Sequence, residues 1–326
     1  MTEPTIEIHL APEDLDESLR VDARLGLTAV PKSLPPKWFY DARGSELFEE
    51  ITRLPEYYPT RTERELLRAS AERVAEATSA QILVELGSGS SEKTKLLLDA
   101  MTAHGSLEKY VPQDVSVAAL DSSVHDLARR YPGLVVHGIV SDFTDTLHNL
   151  PRGGRRMIAF LGGTLGNLVP DERAEFLSSV AEVLDDGEQL LLGVGLVTDP
   201  EVMVPAYDDA AGVTAQFNLN VLNVLNTRLG ANFDPSGFRH VALWDSRNEW
   251  IEMRVQALRP MTVRVPAIGL DVTFDEGEQM RTEISAKFRV EGICKELAAA
   301  GFGSDRVWTD PLDRFALILA DRTGRE

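Results

Sequence analysis

An apolar run that stops at an acid and opens straight into glycines, ILVELGSGSSEKT at 82–94, constrains this chain more than any other feature. The pattern reads as a buried strand ending in a ligand-binding turn ahead of a helix. Gly87 and Gly89 remove side chains where a ligand must come close to the backbone, and the unpaired N–H groups of the next helix attract a carboxylate or phosphate. An enzyme with a nucleoside-type cofactor is the expectation. The plain alternative is a glycine-rich turn that binds nothing.

A phosphate-cradling loop, G-x-x-x-x-G-K-[ST], is matched at Gly87, Lys93 and Thr94, but Glu92 stands where the second glycine belongs and puts an anion where triphosphate charge would sit. The dinucleotide pattern G-x-G-x-x-G fails at the same residue. What is left, acid-x-G-x-G with Glu85 two residues ahead of Gly87, resembles the first motif of Rossmann-like S-adenosylmethionine (SAM) methyltransferases, whose cofactor has no phosphate and ends in an amino acid.

Helix and strand then alternate. Helical spacing at 58–78 precedes the first strand; helices follow at 93–101 and 116–133, strands at 109–116 and 134–143, another strand within 155–168 broken by Gly162 and Gly163, a helix at 170–187 and a nearly all-apolar strand at 188–196. Five alternations imply a parallel sheet with helices on both faces and ligands beyond the carboxyl ends of the strands, where Gly87, Asp114, Asp142 and Gly162 fall. From 202 to 229 an apolar, Asn-rich helical stretch interrupts, followed by period-two strands through 288 and a closing helix and strand pair. The expected fold is therefore α/β, a Rossmann-like methyltransferase sheet at 65–200 and 287–326, with a second α+β substrate-binding domain at 1–64 and 201–286 capping the cofactor site.

With 326 residues and 43% hydrophobic content, two globular cores are affordable. A net charge of −19 repels phosphates at long range, so nucleic acid and anionic membranes are excluded as partners. No apolar run approaches the roughly 20 residues of a membrane span, and the acidic start is unlike a signal peptide. The single Cys294 forms no intrachain disulfide. The histidines never fall at i, i+3 or i, i+4, which leaves a metal site without local support. A cytoplasmic, monomeric, metal-free enzyme is expected.

Each candidate residue has a bland alternative. Asp114 can accept both ribose hydroxyls or simply hold a turn; Asp142 and Phe143 can line a base pocket. Lys93 can contact the cofactor or be a solvated lysine. Asn167 can donate and accept beside the transfer position, or cap the helix ahead of Pro170. Glu283 and Ser285, two apart on a strand, share one face and can grip a nitrogen heterocycle, or merely alternate toward solvent. Met253, Tyr57 and Tyr207 can be contacts or core filler.

Taken together, PKSLPPKWFYDARGSELFEEITRLPEYYPTRTE, VELGSGSSEKT, FLGGTLGN and RTEISAKF resemble the L-histidine Nα-methyltransferases of ergothioneine biosynthesis, across nearly the whole chain. The resemblance implies SAM-dependent trimethylation of the α-amino group of free histidine to hercynine, with another aromatic amino acid or amine as the rival substrate. It implies SAM contacts at Gly87, Lys93, Asp114, Asp142 and Phe143, and a histidine pocket of Tyr57, Asn167, Tyr207, Glu283 and Ser285 with Met253 beside the imidazole. Phe48 and Gly162 would flank the amine, with Tyr40 nearby. No residue is implied as the proton acceptor.

Overall fold

The computed structural model describes residues 3–144 and 147–324. In chain order, β1 (Thr5–Ile8), α1 (Pro12–Thr28), β2 (Lys32–Ser33), α2 (Ala42–Ile51) and α3 (Tyr58–Thr78) precede β3 (Ile82–Leu86), α4 (Lys95–His104), β4 (Lys109–Asp114), α5 (Val117–Arg130) and β5 (Val135–Val140). Next come β6 (Arg156–Phe160), α6 (Pro170–Val183), β7 (Gln189–Gly195), α7 (Pro200–Met203) and α8 (Val213–Leu229). The chain ends with β8 (Phe238–Asp245), β9 (Trp250–Ala257), β10 (Met261–Val265), β11 (Leu270–Phe274), β12 (Gln279–Ala286), α9 (Val290–Ala299), β13 (Phe302–Thr309) and β14 (Phe315–Arg322).

Two compact units result. The first comprises Met1–Ala11, Thr62–Leu196 and Phe288–Glu326, the second Pro12–Arg61 and Val197–Lys287. The first holds an eight-stranded sheet in the order β1-β5-β4-β3-β6-β7-β14-β13, parallel except where β14 runs against β7 and β13. The order reverses at β3, whose neighbours are β4 and β6, so the carboxyl ends of those three strands border the switch point where such sheets bind ligands. β3 and β6 are buried along their whole length, as strands covered on both faces must be, which explains why they are apolar apart from the buried Glu85 and Arg156.

β1 corrects one expectation. The sequence places residues 1–64 in the second domain, yet Thr5–Ile8 pairs in parallel with β5 at the edge of the first unit's sheet. TIEI does alternate polar and apolar residues, but the strand is only four residues long and largely exposed, and alternation does not tell which sheet a strand joins.

The second unit has its own sheet, β2-β12-β9-β8, antiparallel apart from the short β2, and a separate β10-β11 hairpin. Its core gathers Leu19, Phe39, Phe217, Leu222, Ile251, Val255 and Met280. The helix expected over 202–229 begins only at Val213, because Pro205 and Gly212 (φ +72°) interrupt it and Asp209 accepts from the Val213 and Thr214 N–H groups to start it afresh. The asparagines of α8 bind backbone and polar groups of the same unit. Asn226 both donates to and accepts from the Phe233 backbone, at 2.8 Å each way, and Asn220 donates to Asp41.

Candidate functional site

The loop after β3 owes its shape to residues that tolerate positive φ and to a buried carboxylate beneath it. Gly87 and Gly89 sit at φ +65° and +51°, a region L side chains seldom adopt, and a Cβ placed on Gly89 would meet only open space. Below them Glu85, 1% exposed, accepts from Thr94 Oγ1 at 2.5 Å and from the Tyr110 hydroxyl, which also bonds Ser91 Oγ at 2.9 Å. Burial pushes the Glu85 carboxyl up to about 7, against the Thr94 and Tyr110 hydrogen bonds and the charge of Lys93. The acid of the motif thus fixes the loop from inside the sheet.

Asp114 closes β4 and joins the same loop: its carboxylate accepts from Gly89 N at 2.9 Å and Ser116 N at 3.0 Å. Burial raises its pKa, opposed by the N–H groups of Ser116, Gly89 and Val115. Asp142 follows β5 and accepts from both the backbone N–H (2.9 Å) and hydroxyl (2.7 Å) of Thr144. Phe143 packs its ring on Phe160 and Phe176, centroids 5.1 and 5.8 Å away, and reaches within 3.6 Å of where a Gly87 side chain would begin. Gly87, Asp114 and Phe143 are therefore brought to one loop. Its open backbone, the acid at the tip of β4 and the aromatic ring beside it fit a ligand that carries a ribose and a base.

Lys93 is not a solvated lysine. It lies in the turn ahead of α4, and its Nζ pairs with Glu63 Oε2 at 2.7 Å, a carboxylate 1% exposed whose other oxygen accepts from Gly162 N at 2.7 Å. Gly162 (φ +85°) follows β6, and a Cβ there would stand 3.0 Å from Lys93 Nζ; a Cβ on Gly193 would stand 2.4 Å from Glu63 Oε1. Glu63 thus ties the glycine loop to the β6 loop. The sequence does carry its signal, an acid on the apolar stripe of α3 formed by Leu66, Leu67 and Val74. Asn167 ends the short helical turn Thr164–Asn167 and is not the cap of α6; that position belongs to Val169, whose N–H is accepted by Glu172 at 3.0 Å.

In the second unit the other candidates form a chain of contacts. Tyr40 and Phe48 meet edge to face at 5.6 Å, Phe48 and Tyr57 at 6.2 Å, and Tyr57 and Tyr207 at 6.1 Å. The Tyr207 hydroxyl lies 2.7 Å from Ser285 Oγ. Glu283 pairs across the sheet with Met253, so the two share a face, and Ser285 continues that face. Between Arg281 and Glu283 the register shifts, leaving Thr282 as the extra residue of a bulge. Because Arg281 pairs with Arg254 and Glu283 with the adjacent Met253, the bulge sends Arg281 to the opposite face from Glu283.

Behind this face runs a network that the sequence does not announce. Thr282 donates to Asn218 Oδ1 at 2.6 Å, Asn218 Nδ2 donates to His240 Nδ1 at 2.7 Å, and His240 Nε2 donates to the Tyr207 carbonyl at 2.8 Å. Burial lowers the His240 pKa, which favours the neutral ring this donor pattern needs. Burial and the Glu283 carboxylate hold the Tyr207 hydroxyl far above the usual phenol range, so it keeps its proton. Lys287, also missed, donates to Tyr207 Oη at 2.7 Å; extending the alternation Glu283, Ser285 by one step would have found it.

Among the described residues no group of three or more His, Cys, Asp or Glu is arranged to hold a metal, and no helix is long and apolar enough to cross a membrane.

The comparisons with known proteins agree with one another. The chain is 52% identical over 314 residues to the histidine N-alpha-methyltransferase of Mycolicibacterium smegmatis, covering 96% of this chain and 98% of that one. It is 52% identical over 312 residues to the histidine N-alpha-methyltransferase of Mycobacterium tuberculosis, covering 96% and 97%. Ergothioneine biosynthesis protein 1 of Schizosaccharomyces pombe is 30% identical over 270 residues, which are 79% of this chain and 34% of that protein. The family described as histidine-specific methyltransferase, SAM-dependent, matches residues 19–322, and the chain belongs to it.

Proposed function

We propose that this protein transfers methyl groups from SAM to the α-amino group of L-histidine, three times in succession, to give hercynine at the first step of ergothioneine biosynthesis. Identity of 52% along almost the full length of two histidine N-alpha-methyltransferases supports this reading. The observation that carries it is the single strand face bearing Glu283 and Ser285, with Met253 opposite and Tyr207 against it.

SAM supplies a methyl group on a sulfonium, a leaving group good enough that the proposed transfer uses no metal. Gly87, Lys93, Asp114, Asp142 and Phe143 hold it: Asp114 accepts ribose hydroxyls, Asp142 and Phe143 meet the base, and the open backbone at Gly87 and Gly89 admits the amino-acid end. Tyr57 and Asn167 take the histidine carboxylate, and Tyr207 lines the same pocket with its hydroxyl turned to Ser285. Glu283 and Ser285 take the imidazole, and Met253 packs beside it. Phe48 and Gly162 flank the amine, with Tyr40 nearby; an aromatic face suits a nitrogen that becomes a fixed cation, and a glycine leaves room for the added methyls. The protein's contribution is alignment of a neutral amine lone pair for in-line displacement, where positioning outweighs acid or base strength.

Incubation with SAM and each proteinogenic amino acid, followed by product mass, tests the proposal. Histidine is expected to gain three methyl groups while tryptophan gains none; histidine emerging unmodified overturns it. Glu283→Ala should raise the histidine KM about tenfold or more, since it removes a charge-assisted hydrogen bond. An unchanged KM would remove Glu283 from the pocket.

A further inference from the structure

Lys287 is 6% exposed and sits on the strand extension that follows Glu283 and Ser285. Lysines are seldom buried without dedicated partners. Its Nζ donates to Tyr207 Oη at 2.7 Å and to Ser285 Oγ at 2.9 Å, and those hydroxyls lie 2.7 Å from each other, closing a triangle of three polar groups. The same Nζ stands 4.8 Å from the centre of the Tyr207 ring, and the Lys287 backbone N–H is anchored on the Glu249 carbonyl at 2.8 Å.

Counting hydrogens along the triangle gives its chemical meaning. Burial lowers the Lys287 pKa against the pull of the Glu283 carboxylate, and Nζ donates along both of its edges, so both hydroxyl oxygens act as acceptors toward Lys287. On the remaining edge one hydroxyl donates and the other accepts, which leaves one of the two hydroxyl hydrogens to point elsewhere. A phenol is the stronger donor and an aliphatic hydroxyl the better acceptor, so Tyr207 donates to Ser285 and the Ser285 hydrogen is the one turned outward. Glu283, on the same face, is an acceptor. The strand therefore presents one acceptor and one donor two residues apart, which matches a neutral imidazole with its one N–H and one bare nitrogen.

We infer that Lys287 is a specificity-determining positioning residue: by occupying acceptor sites on Tyr207 and Ser285 it fixes Ser285 as a hydrogen-bond donor toward the substrate ring. This rests on the assignment of the imidazole to Glu283 and Ser285 proposed above.

The test is a double-mutant cycle on the full-length protein, with steady-state kinetics for L-histidine and a thermal melt of every variant. Lys287→Met, close in length and unable to donate, is expected to raise the histidine KM about tenfold with kcat changed far less. Ser285→Ala is expected to raise KM by a similar factor, and the double variant to be no worse than either single one. Lys287→Arg, a cation that also only donates, should recover most of the lost affinity, and it replaces Lys287→Met in the cycle if that variant does not fold: KM for Lys287→Arg must then stay within a few-fold of wild type. If Ser285→Ala raises KM while Lys287→Met leaves it unchanged, or if the two effects multiply, Lys287 does not act through Ser285 and the inference fails alone. If Ser285→Ala also leaves KM unchanged, the ring does not bind this strand, and the substrate assignment fails with it.

Discussion

The Glu85 carboxyl lies under the glycine loop with Thr94 and Tyr110 donating to it, and burial pushes its pKa from the ordinary 4.5 up to about 7. The folded state thus binds this proton more tightly than the unfolded chain does, and its contribution to stability is complete below about pH 4.5 and lost as pH rises through 7. Glu85→Gln cannot ionise, so the stability difference between wild type and this variant should shift against the wild type by the order of 3 kcal/mol across that window. Urea denaturation at steps of pH measures it, and parallel curves for the two proteins would show that Glu85 does not titrate with folding. Sequence alone marks Glu85 as the acid of a ligand motif, because Gly87 and Gly89 follow it. Its actual partners are nine and twenty-five residues away, and no local pattern encodes that. Gly87 and Asp114 were legible for the opposite reason: the end of a parallel strand is itself a sequence signal, and the fold puts all such ends on one edge of the sheet.

At the scale of elements, the strands β8, β9 and β12 could be read from alternation, but the bulge in β12 could not. Arg281, Glu283 and Ser285 alternate without a break in sequence, and only the pairing with β9 reveals Thr282 as an extra residue that turns Arg281 away. What holds the bulge is α8, through Asn218, whose side chain joins Thr282, His240 and the Arg254 carbonyl. Asn218→Leu would leave Thr282 and His240 without that partner in a buried place, at a cost of about 1–3 kcal/mol. Because His240 also holds the Tyr207 carbonyl, the same substitution should raise the histidine KM while SAM affinity stays within twofold. Calorimetric titration of SAM against the variant, set beside its histidine kinetics, checks the split; equal loss of both ligands would mean that α8 acts on general stability only.

For the molecule as a whole, the net charge of −19 sets the long-range field that a charged ligand meets. It repels nucleotide phosphates, in keeping with the Glu92 that breaks the phosphate-loop pattern, and it attracts SAM, whose sulfonium and ammonium outnumber its one carboxylate. The demethylated product has lost the sulfonium charge and is a net-neutral zwitterion with the same contacts otherwise. Raising ionic strength screens the field of the protein, so SAM affinity should fall more steeply with salt than product affinity, which a pairwise contact confined to the loop would not produce. Ligand-linked melting reads both: at a hundred times Kd either ligand adds about 2.7 kcal/mol to the state that binds it, and the salt needed to erase the shift reports the long-range part. Asp114→Ala should abolish the shift at any salt, and magnesium-ATP should produce none. A shift with magnesium-ATP, or identical salt slopes for SAM and its product, would place the selectivity of this site in the loop geometry and leave the charge of the chain without a part in it.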